Sequence, residues 1–393
     1  MSDNSSNFTL ASESGLVATL SPLGAALRSL TLSSPPSSPS RAESAIGAIQ
    51  CAKCGSNSRA AAWTTRSVVL GLASDDAARR HAGPYLGVTV GRVANRIGHG
   101  GEFELDGERH QARANEGGNC LHGGGGDGAL DGRVWEMAER VSGKTDGADA
   151  FVGWPIAGCG RYDAVTFAST MADGENGFPG RVNVRATYVV AHGAHALGIV
   201  LEGEAEAVTL LALTNHAYFN LSGEPREGGL ADHQLDLHEA TGVLAVDDAL
   251  IPTGEVVPLA ADSPFAAAVA SLGSEAKLEG LDHNYVLAPP DTAGACRCIG
   301  ALVHVPSGLR MRVTTTKPGV QVYTGNGLGH AGIPIADTVH AQCASVNYGN
   351  GSAICLETQF FPDAIHLGPL LGCATGRLEP GEVYRHETWL LFD

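Results

Sequence analysis

The sequence predicts an all-β fold, a sandwich of antiparallel sheets. The 393-residue chain contains 52 glycines, which favours many turns and strand connections over long helices. Short apolar segments recur along the chain, and several alternate with polar residues at the period-two spacing of half-buried strands. Only residues 263–276 have helical composition. Many strands against one short helix favour a β-sandwich over a doubly wound α/β fold, which needs a helix between strands.

The predicted strands follow one another in order. Residues 8–32 alternate around a Ser-Pro-Leu-Gly turn and predict a hairpin, and an Asp-Gly turn predicts a second hairpin over 103–108. Alternation over 182–190 and 197–201 predicts two antiparallel strands joined at His192-Gly193. Further strands are predicted at 67–72, 134–141, 208–213, 234–237, 242–246, 299–305, 311–315, 320–324, 353–357 and 388–392.

The chain shows neither an internal repeat nor a clean linker, so a single domain over 1–393 is expected. Residues 33–62 are rich in Ser, Pro, Ala and Gly without hydrophobic periodicity, which indicates a long, poorly ordered surface loop. Residues 125–165 mix glycine runs with tryptophans and are expected to be rich in loops.

Charge and cysteine content exclude several classes of partner. The 25 basic and 42 acidic residues give a net charge of −17, which argues against nucleic acid or an anionic membrane. An N-terminus without signal-peptide features and the lack of a long apolar run predict a cytoplasmic protein without a membrane-spanning helix. Nine cysteines, an odd number, indicate reduced thiols. Cys51 and Cys54 form one CxxC without a second pair, so plain thiols are favoured over zinc.

Polar residues of types that can take part in catalysis or ligand binding cluster in the central stretch 214–221, which includes His216 and Tyr218. An apolar run, residues 208–213, precedes it and otherwise indicates a core strand. Buried polar groups need hydrogen bonds, so such a cluster is either a satisfied network or a site. For His216 alone a structural role is the favoured interpretation.

Three other segments carry similar signals. Asn95-Arg96 could be an ordinary turn, and His122 in Leu-His-Gly-Gly could be an incidental histidine or lie where glycines let the backbone approach a ligand. Glu357 ends an apolar strand, which makes it a candidate base with a raised pKa, or one half of a buried ion pair.

Asp282 and Gln321 add polar strand ends to this set. No serine lies in a nucleophile elbow, and no histidine spacing indicates a metal site. Two histidines, one carboxylate base and several hydrogen-bonding side chains suit proton transfer on a neutral, hydroxyl-rich ligand.

The combination resembles the aldose 1-epimerase (galactose mutarotase) family. Eight segments occur in the family's order over nearly the whole chain: 91–97, 115–124, 173–180, 214–223, 282–287, 318–326, 356–364 and 380–388. The resemblance implies a large antiparallel β-sandwich with a sugar cleft. It also implies an enzyme that interconverts the α and β anomers of free hexoses such as D-glucose and D-galactose, without metal or other cofactor, as a monomer or homodimer.

The resemblance also implies residue roles. Glu357 would be the general base at the anomeric hydroxyl, His216 the general acid at the ring oxygen, and His122 a hydrogen-bond donor near that oxygen. The residues implied to hold the sugar are Asn95, Arg96, Tyr218, Asp282 and Gln321. Connections near 33–66 and 143–162 look longer than in the family, and His366 stands where the family usually has Asn.

Two other functions are compatible with the same fold. The first is a non-catalytic sugar-binding or regulatory protein, which would not need both Glu357 and His216. The second is an epimerase of phosphorylated hexoses, which would need a basic phosphate site, whereas only Arg96 stands out near the expected cleft.

Overall fold

The structure is a computed structural model, and it describes residues 7–33, 65–145, 159–260, 265, 272, 280–290, 294–334, 337–340 and 348–393. Three predictions lie wholly or mostly outside these residues: the insertions near 33–66 and 143–162, the Cys51/Cys54 pair and the helix at 263–276. The single domain over 1–393 stays a prediction.

Strands dominate the described part of the chain, as predicted. They are β1 (Phe8–Ala11), β2 (Leu16–Ser21), β3 (Ala26–Leu32), β4 (Arg66–Ser67), β5 (Thr89–Val90), β6 (Arg96–Ile97), β7 (Glu102–Leu105), β8 (Glu108–Gln111), β9 (Cys120–Leu121), β10 (Glu136–Lys144), β11 (Arg161–Met171), β12 (Val182–Ala191), β13 (Ala196–Ala205), β14 (Thr209–Leu210), β15 (Thr214–Asn215), β16 (Tyr218–Phe219), β17 (His233–Asp236), β18 (Ala240–Val246), β19 (Pro252–Pro258), β20 (Asp282–Leu287), β21 (Arg297–His304), β22 (Leu309–Thr315), β23 (Gly319–Tyr323), β24 (Ile354–Gln359), β25 (Arg377–Leu378) and β26 (Val383–Phe392). Two helices, α1 (Asp75–Arg80) and α2 (Ala364–Leu371), lie among the described residues.

The two largest sheets are antiparallel and form the layers of the sandwich. An eight-stranded sheet has the order β10-β11-β12-β13-β26-β22-β21-β17, and a six-stranded sheet has the order β16-β24-β23-β20-β18-β19. Strands β1 to β4 form a further sheet. The hairpin β12–β13 forms where the alternation predicts it, with Val190 opposite Leu197. The all-β sandwich prediction is therefore confirmed.

One apolar core joins the two large sheets. On β12, Val182, Val184 and Tyr188 face this core, and on β23 Val320 and Val322 do so. Successive side chains of a strand point to opposite faces, so the residues between these positions point away from the core. On the six-stranded sheet, this second face carries the polar residues.

The apolar run 208–213 does not form the core strand that the sequence predicts. Thr209 and Leu210 pair with β25, and Ala212 forms an isolated parallel bridge with Val93. Leu211 N–H then donates to Gly376 O at 2.7 Å and Ala212 N–H to Arg92 O at 2.9 Å. The segment therefore bonds to several partners in turn instead of following one strand, although its apolar side chains from Leu210 to Leu213 are buried.

Three further elements differ from the predictions or were not predicted. The strand predicted at 67–72 forms a ladder only at β4, and further along it makes isolated bridges from Val69 to Phe219 and from Leu72 to Thr338. Strand β11, a long strand of the eight-stranded sheet, was not predicted, and its first residues, 161–165, lie in the region expected to be rich in loops. Helix α1 was not predicted because it is short and polar, although Ser74 caps it by accepting from Ala77 N–H at 3.1 Å. Among the described helices, none is long and apolar enough to cross a membrane.

Candidate functional site

A cleft of about 590 Å³ opens on the second face of the six-stranded sheet. All eight residues singled out from the sequence line it: Asn95, Arg96, His122, His216, Tyr218, Asp282, Gln321 and Glu357. They come from segments spread over more than 260 positions of the chain. The fold therefore brings the predicted set together at one place.

Strand pairing sets the floor of the cleft. Gln321 on β23 lies directly opposite Glu357 on β24. Val322 and Leu356 beside them belong to the core, so the alternation turns Gln321 and Glu357 toward the cleft. Asp282 on the adjoining β20 accepts a hydrogen bond of 2.7 Å from Gln321 Nε2.

His216 reaches the cleft through the same alternation. Ala217 and Phe219 pack in the core, so His216 and Tyr218 point to the opposite side. The backbone of His216 is bonded in both directions, because its N–H donates to Val88 O at 2.9 Å and its carbonyl accepts from Gly87 N–H at 2.9 Å. These bonds place its imidazole over the end of β24.

His216 and Glu357 form a close, buried pair. His216 Nε2 lies 3.5 Å from Glu357 Oε1, and the two side chains are 6% and 3% exposed. The second carboxylate oxygen of Glu357 has no hydrogen-bond partner among the described residues. This buried oxygen therefore has unused hydrogen-bonding capacity. On its far side, His216 Nδ1 lies 3.5 Å from the Cys355 sulfur.

Burial moves the pKa values of this pair in opposite directions. It raises the pKa of Glu357 to about 8, with Asp282 adding to the rise and Arg96 opposing it. Burial lowers the pKa of His216 to about 4. Desolvation penalises the charged form of each group, so the pair carries one proton at neutral pH, on the carboxyl of Glu357.

His122 stands on the other side of His216, at a ring-centroid distance of 5.3 Å. Its ring Nδ1 accepts a hydrogen bond of 3.2 Å from the backbone N–H of Asn95, and the backbone N–H of His122 donates to the Asn95 carbonyl at 3.0 Å. Burial holds the pKa of His122 well below its usual value, so the ring is neutral. With Nδ1 accepting, we assign the ring proton to Nε2, which makes this atom a donor.

The glycines that follow His122 approach the chain's own backbone rather than an open ligand site. Gly123 has a positive φ of +80°, and a Cβ there would lie 2.3 Å from Gly91 O. Only glycine fits such a close approach with that backbone conformation. The close approach of Gly123 is therefore to Gly91 in the segment 91–97, and an approach of this backbone to a ligand stays a prediction.

Arg96 is held rigidly at the cleft by an acid that the sequence analysis did not single out. Its guanidinium binds Glu116 through two bonds, Nε to Oε2 at 2.7 Å and Nη2 to Oε1 at 2.6 Å. The Arg96 N–H donates to the side-chain oxygen of Asn95 at 2.9 Å. A two-pronged contact of this kind fixes both the plane and the position of the guanidinium.

Aromatic rings close the wall beside the two histidines. The Tyr218 hydroxyl donates to Pro84 O at 2.9 Å, so Tyr218 turns its ring rather than its hydroxyl to His216, at a centroid distance of 5.1 Å. Tyr85 packs edge-on against His122 at 4.7 Å, and Tyr323 also lines the cleft. Glu116 and Tyr323 lie in the segments 115–124 and 318–326 that carry the resemblance, but neither was singled out there, and Tyr85 lies outside all eight segments.

Two groups of side chains in the described part of the chain could hold a metal ion. His122, His216 and Glu357 form the first, and His99, Asp363 and His366 form the second, with one ligand atom from each residue within 4.8 Å of the others. The sequence showed no ligand spacing for either, because the fold, not the local pattern, assembles them.

Comparison with known proteins agrees with this geometry. A family model described as aldose 1-epimerase matches residues 56–391. The galactose mutarotase of Sus scrofa is 35% identical over 332 residues, which is 83% of this chain and 83% of the mutarotase. The aldose 1-epimerase of Haemophilus influenzae is 34% identical over 307 residues, covering 76% of this chain and 78% of its own.

Solved structures show the same fold. An aldose epimerase homologue from C. elegans has a TM-score of 0.73 at 26% identity and covers 99% of both chains. A galactose 1-epimerase from Lactobacillus acidophilus has a TM-score of 0.68 at 23% identity, covering 98% of this chain and 94% of its own.

Proposed function

The chain belongs to the aldose 1-epimerase family, and from this premise we propose that it interconverts the α and β anomers of free hexoses at the cleft. D-glucose and D-galactose are the proposed substrates. The observation that carries the proposal is the buried pair of His216 Nε2 and Glu357 Oε1, 3.5 Å apart, with the other carboxylate oxygen unpartnered. An acid and a base within reach of one bound ligand are what ring opening and closure need.

One proton on the pair suffices for both catalytic groups. In the empty cleft it resides on Glu357, whose pKa is raised by burial to about 8. Its transfer to His216 produces a carboxylate and an imidazolium without uptake of a further proton from solvent. The ionised form is costly because both side chains are buried, but a sugar supplies hydroxyl donors for the carboxylate and a ring oxygen for the imidazolium.

The reaction then proceeds by paired proton transfers. Glu357 removes the proton from the anomeric hydroxyl while His216 protonates the ring oxygen, and the bond between C1 and that oxygen breaks. His122 donates from Nε2 to the same oxygen and stabilises the charge that develops there. Rotation about the C1–C2 bond presents the other face of the aldehyde, and the ring closes with the acid and base roles exchanged.

The remaining cleft residues orient the sugar. Arg96, fixed by Glu116, presents its guanidinium to hydroxyl oxygens, whereas Asp282 and Gln321 form a bonded pair that can accept from and donate to neighbouring hydroxyls. Positioning of this kind lowers the barrier because the reacting atoms are held in place before proton transfer begins.

A neutral sugar suits the cleft better than a phosphorylated one. Two arginines line the cleft in the described residues, and both already bind a carboxylate: Arg96 binds Glu116, and Arg80 binds Asp337 at 3.0 Å. A phosphate would compete with those acids for the guanidinium groups. A purely sugar-binding role would not require an acid and a base in one pair.

Polarimetry on freshly dissolved α-D-glucose and α-D-galactose tests the proposal. The wild-type protein should speed mutarotation over buffer, and Glu357→Gln and His216→Asn should each lower kcat by at least 100-fold. Tyr218→Phe is the matched control, expected to keep kcat within about threefold, because the lost hydroxyl donates to Pro84 O. A wild-type rate equal to buffer refutes the enzyme function.

The test also separates the residue roles from the activity. Full activity in Glu357→Gln would remove the base assignment while leaving the epimerase function intact. Preference for a hexose 6-phosphate over the free hexose would favour the phosphorylated substrate. A cytoplasmic location and a monomeric or homodimeric state stay predictions of the sequence.

A further inference from the structure

The second group of potential ligands lies outside the cleft, at the start of helix α2. It consists of His99, Asp363 and His366, with one ligand atom from each residue within 4.8 Å of the others. Asp363 is 2% exposed, the side chain of His366 is 27% exposed, and His99 is exposed. A buried anion thus lies beneath two histidines that solvent can reach, which gives an ion a path to the group.

Asp363 has one carboxylate oxygen available for a further ligand. Among the described residues, the hydrogen bonds to this carboxylate both end at Oδ1, one from His366 Nδ1 at 2.7 Å and one from Gly98 N–H at 2.9 Å. Oδ2 lies beside Gly98, where an added Cβ would meet it at 3.3 Å. The backbone is held too, because Asp363 N–H donates to the carbonyl of Arg96 at 2.8 Å.

His366 is held from both ring nitrogens. Nδ1 faces Asp363, and the ring also has a hydrogen bond to the backbone of Glu102, which therefore falls to Nε2. A histidine that binds a metal through one nitrogen commonly donates from the other to a backbone carbonyl, which fixes its tautomer. The contacts of His366 have this arrangement. His99 completes the group, because its ring packs edge-on against the ring of His366 with the two centroids 4.7 Å apart.

We propose that His99, Asp363 and His366 form a binding site for a divalent transition-metal ion such as Zn²⁺ or Co²⁺. The ion replaces the proton between His366 Nδ1 and the carboxylate of Asp363. Two imidazoles and one carboxylate are a donor set for these ions, whereas Ca²⁺ and Mg²⁺ prefer oxygen ligands alone. Water can complete the tetrahedron on the exposed side.

Only small movements assemble this coordination. Ligand atoms about 2.1 Å from a tetrahedral ion lie about 3.4 Å apart. The exposed ring of His99 closes a gap of up to 4.8 Å by side-chain rotation, and the carboxylate of Asp363 turns to present Oδ2. The site depends on His366, because its Nδ1 is the contact of the imidazole with the Asp363 carboxylate.

Titration of the tag-free, metal-free full-length protein with CoCl₂ tests the proposal, with visible absorption and calorimetry as readouts. We expect one ion per chain at this site and at least tenfold weaker binding in both His99→Ala and His366→Asn. His110→Ala, which removes a half-buried histidine from the β7–β8 hairpin, is the matched control and should bind as wild type does. His99 is exposed, so its variant retains the fold even if the His366 variant does not.

Other locations for the ion are distinguishable in the same experiment. Glu357→Gln removes a ligand from the cleft group, and we expect its Co²⁺ affinity to equal that of wild type. Cobalt–thiolate charge-transfer absorption would assign the bound ion to cysteines instead. The proposal is overturned if no ion binds at 100-fold molar excess, if both histidine variants bind as wild type does, or if Glu357→Gln abolishes binding. In that case His366 and Asp363 are a plain ion pair.

Discussion

Replacing Glu357 with Gln should stabilise the protein at the pH where it abolishes catalysis. The pKa of Glu357 is about 8 in the fold, against an ordinary value of 4.5. Between these values the unfolded chain loses this proton but the folded chain keeps it, so stability falls as pH rises. Above pH 8 both states are ionised and the loss is complete. Gln has the same shape and no proton to lose, so the variant lacks this slope.

The size of the effect follows from the same values. Each pH unit between 4.5 and about 8 costs the folded state about 1.4 kcal/mol, which accumulates to a cost on the order of 5 kcal/mol. His216 acts in the opposite direction, because its pKa is lowered from 6.5 to about 4 and its penalty disappears above pH 6.5. From pH 6.5 to 8 only Glu357 of this pair changes the stability with pH. The unfolding free energy of the variant relative to wild type should therefore grow by about 2 kcal/mol over this range.

Urea denaturation of both proteins at pH 6.5, 7, 7.5 and 8 measures this growth. The difference in unfolding free energy should widen at every step, while the m-values stay equal. Other titrating groups contribute to both proteins and cancel in the difference. Parallel stability profiles for wild type and Glu357→Gln would show that Glu357 ionises normally in the fold, and would refute the proton count on which the proposed mechanism depends.

Three further predictions follow from the geometry of the cleft. The pH profile of kcat/KM should be bell-shaped with limbs near pH 4 and pH 8, because the pair of His216 and Glu357 holds its single proton between these values. A flat profile from pH 5 to 10 would contradict this. Glu116→Ala should raise KM for galactose roughly tenfold with little change in kcat, since Arg96 loses its two-pronged partner. Steady-state polarimetry measures both constants, and an unchanged KM would show that Arg96 does not take part in sugar binding. Gly123→Ala should lower the unfolding free energy by at least about 2 kcal/mol, because the added Cβ would lie 2.3 Å from a backbone oxygen and the residue has a φ of +80°. An unchanged urea midpoint would contradict that.

The proposed role of Glu357 in catalysis is accompanied by a cost in stability. Its raised pKa shows that burial of its carboxylate is unfavourable. Nearby Asp282 raises this pKa further, and Arg96 lowers it. Strongly perturbed carboxyls of this kind concentrate at functional sites, where the stability cost is tolerated because the perturbed proton is used.

Local pattern was sufficient for much of the fold and for the residue types of the site. Side-chain alternation has a period of two whatever lies beyond the strand, so residues 182–190 and 320–324 could be assigned from the sequence, and their core faces follow from it. The order of eight short motifs likewise identified Glu357, His216 and His122 as candidates, since those motifs lie in continuous stretches of chain.

Tertiary structure alone decided which residues meet and how they ionise. Glu116 is an ordinary loop acid until the pairing of β6 with β9 brings its loop to Arg96. The run 208–213 is apolar enough for a strand, yet its hydrogen bonds go to two separate parts of the chain. The pKa of Glu357 depends on burial and on charges that strand register places beside it. Hydrogen-bond partners and desolvation are properties of the assembled molecule, because residues distant in the chain supply them.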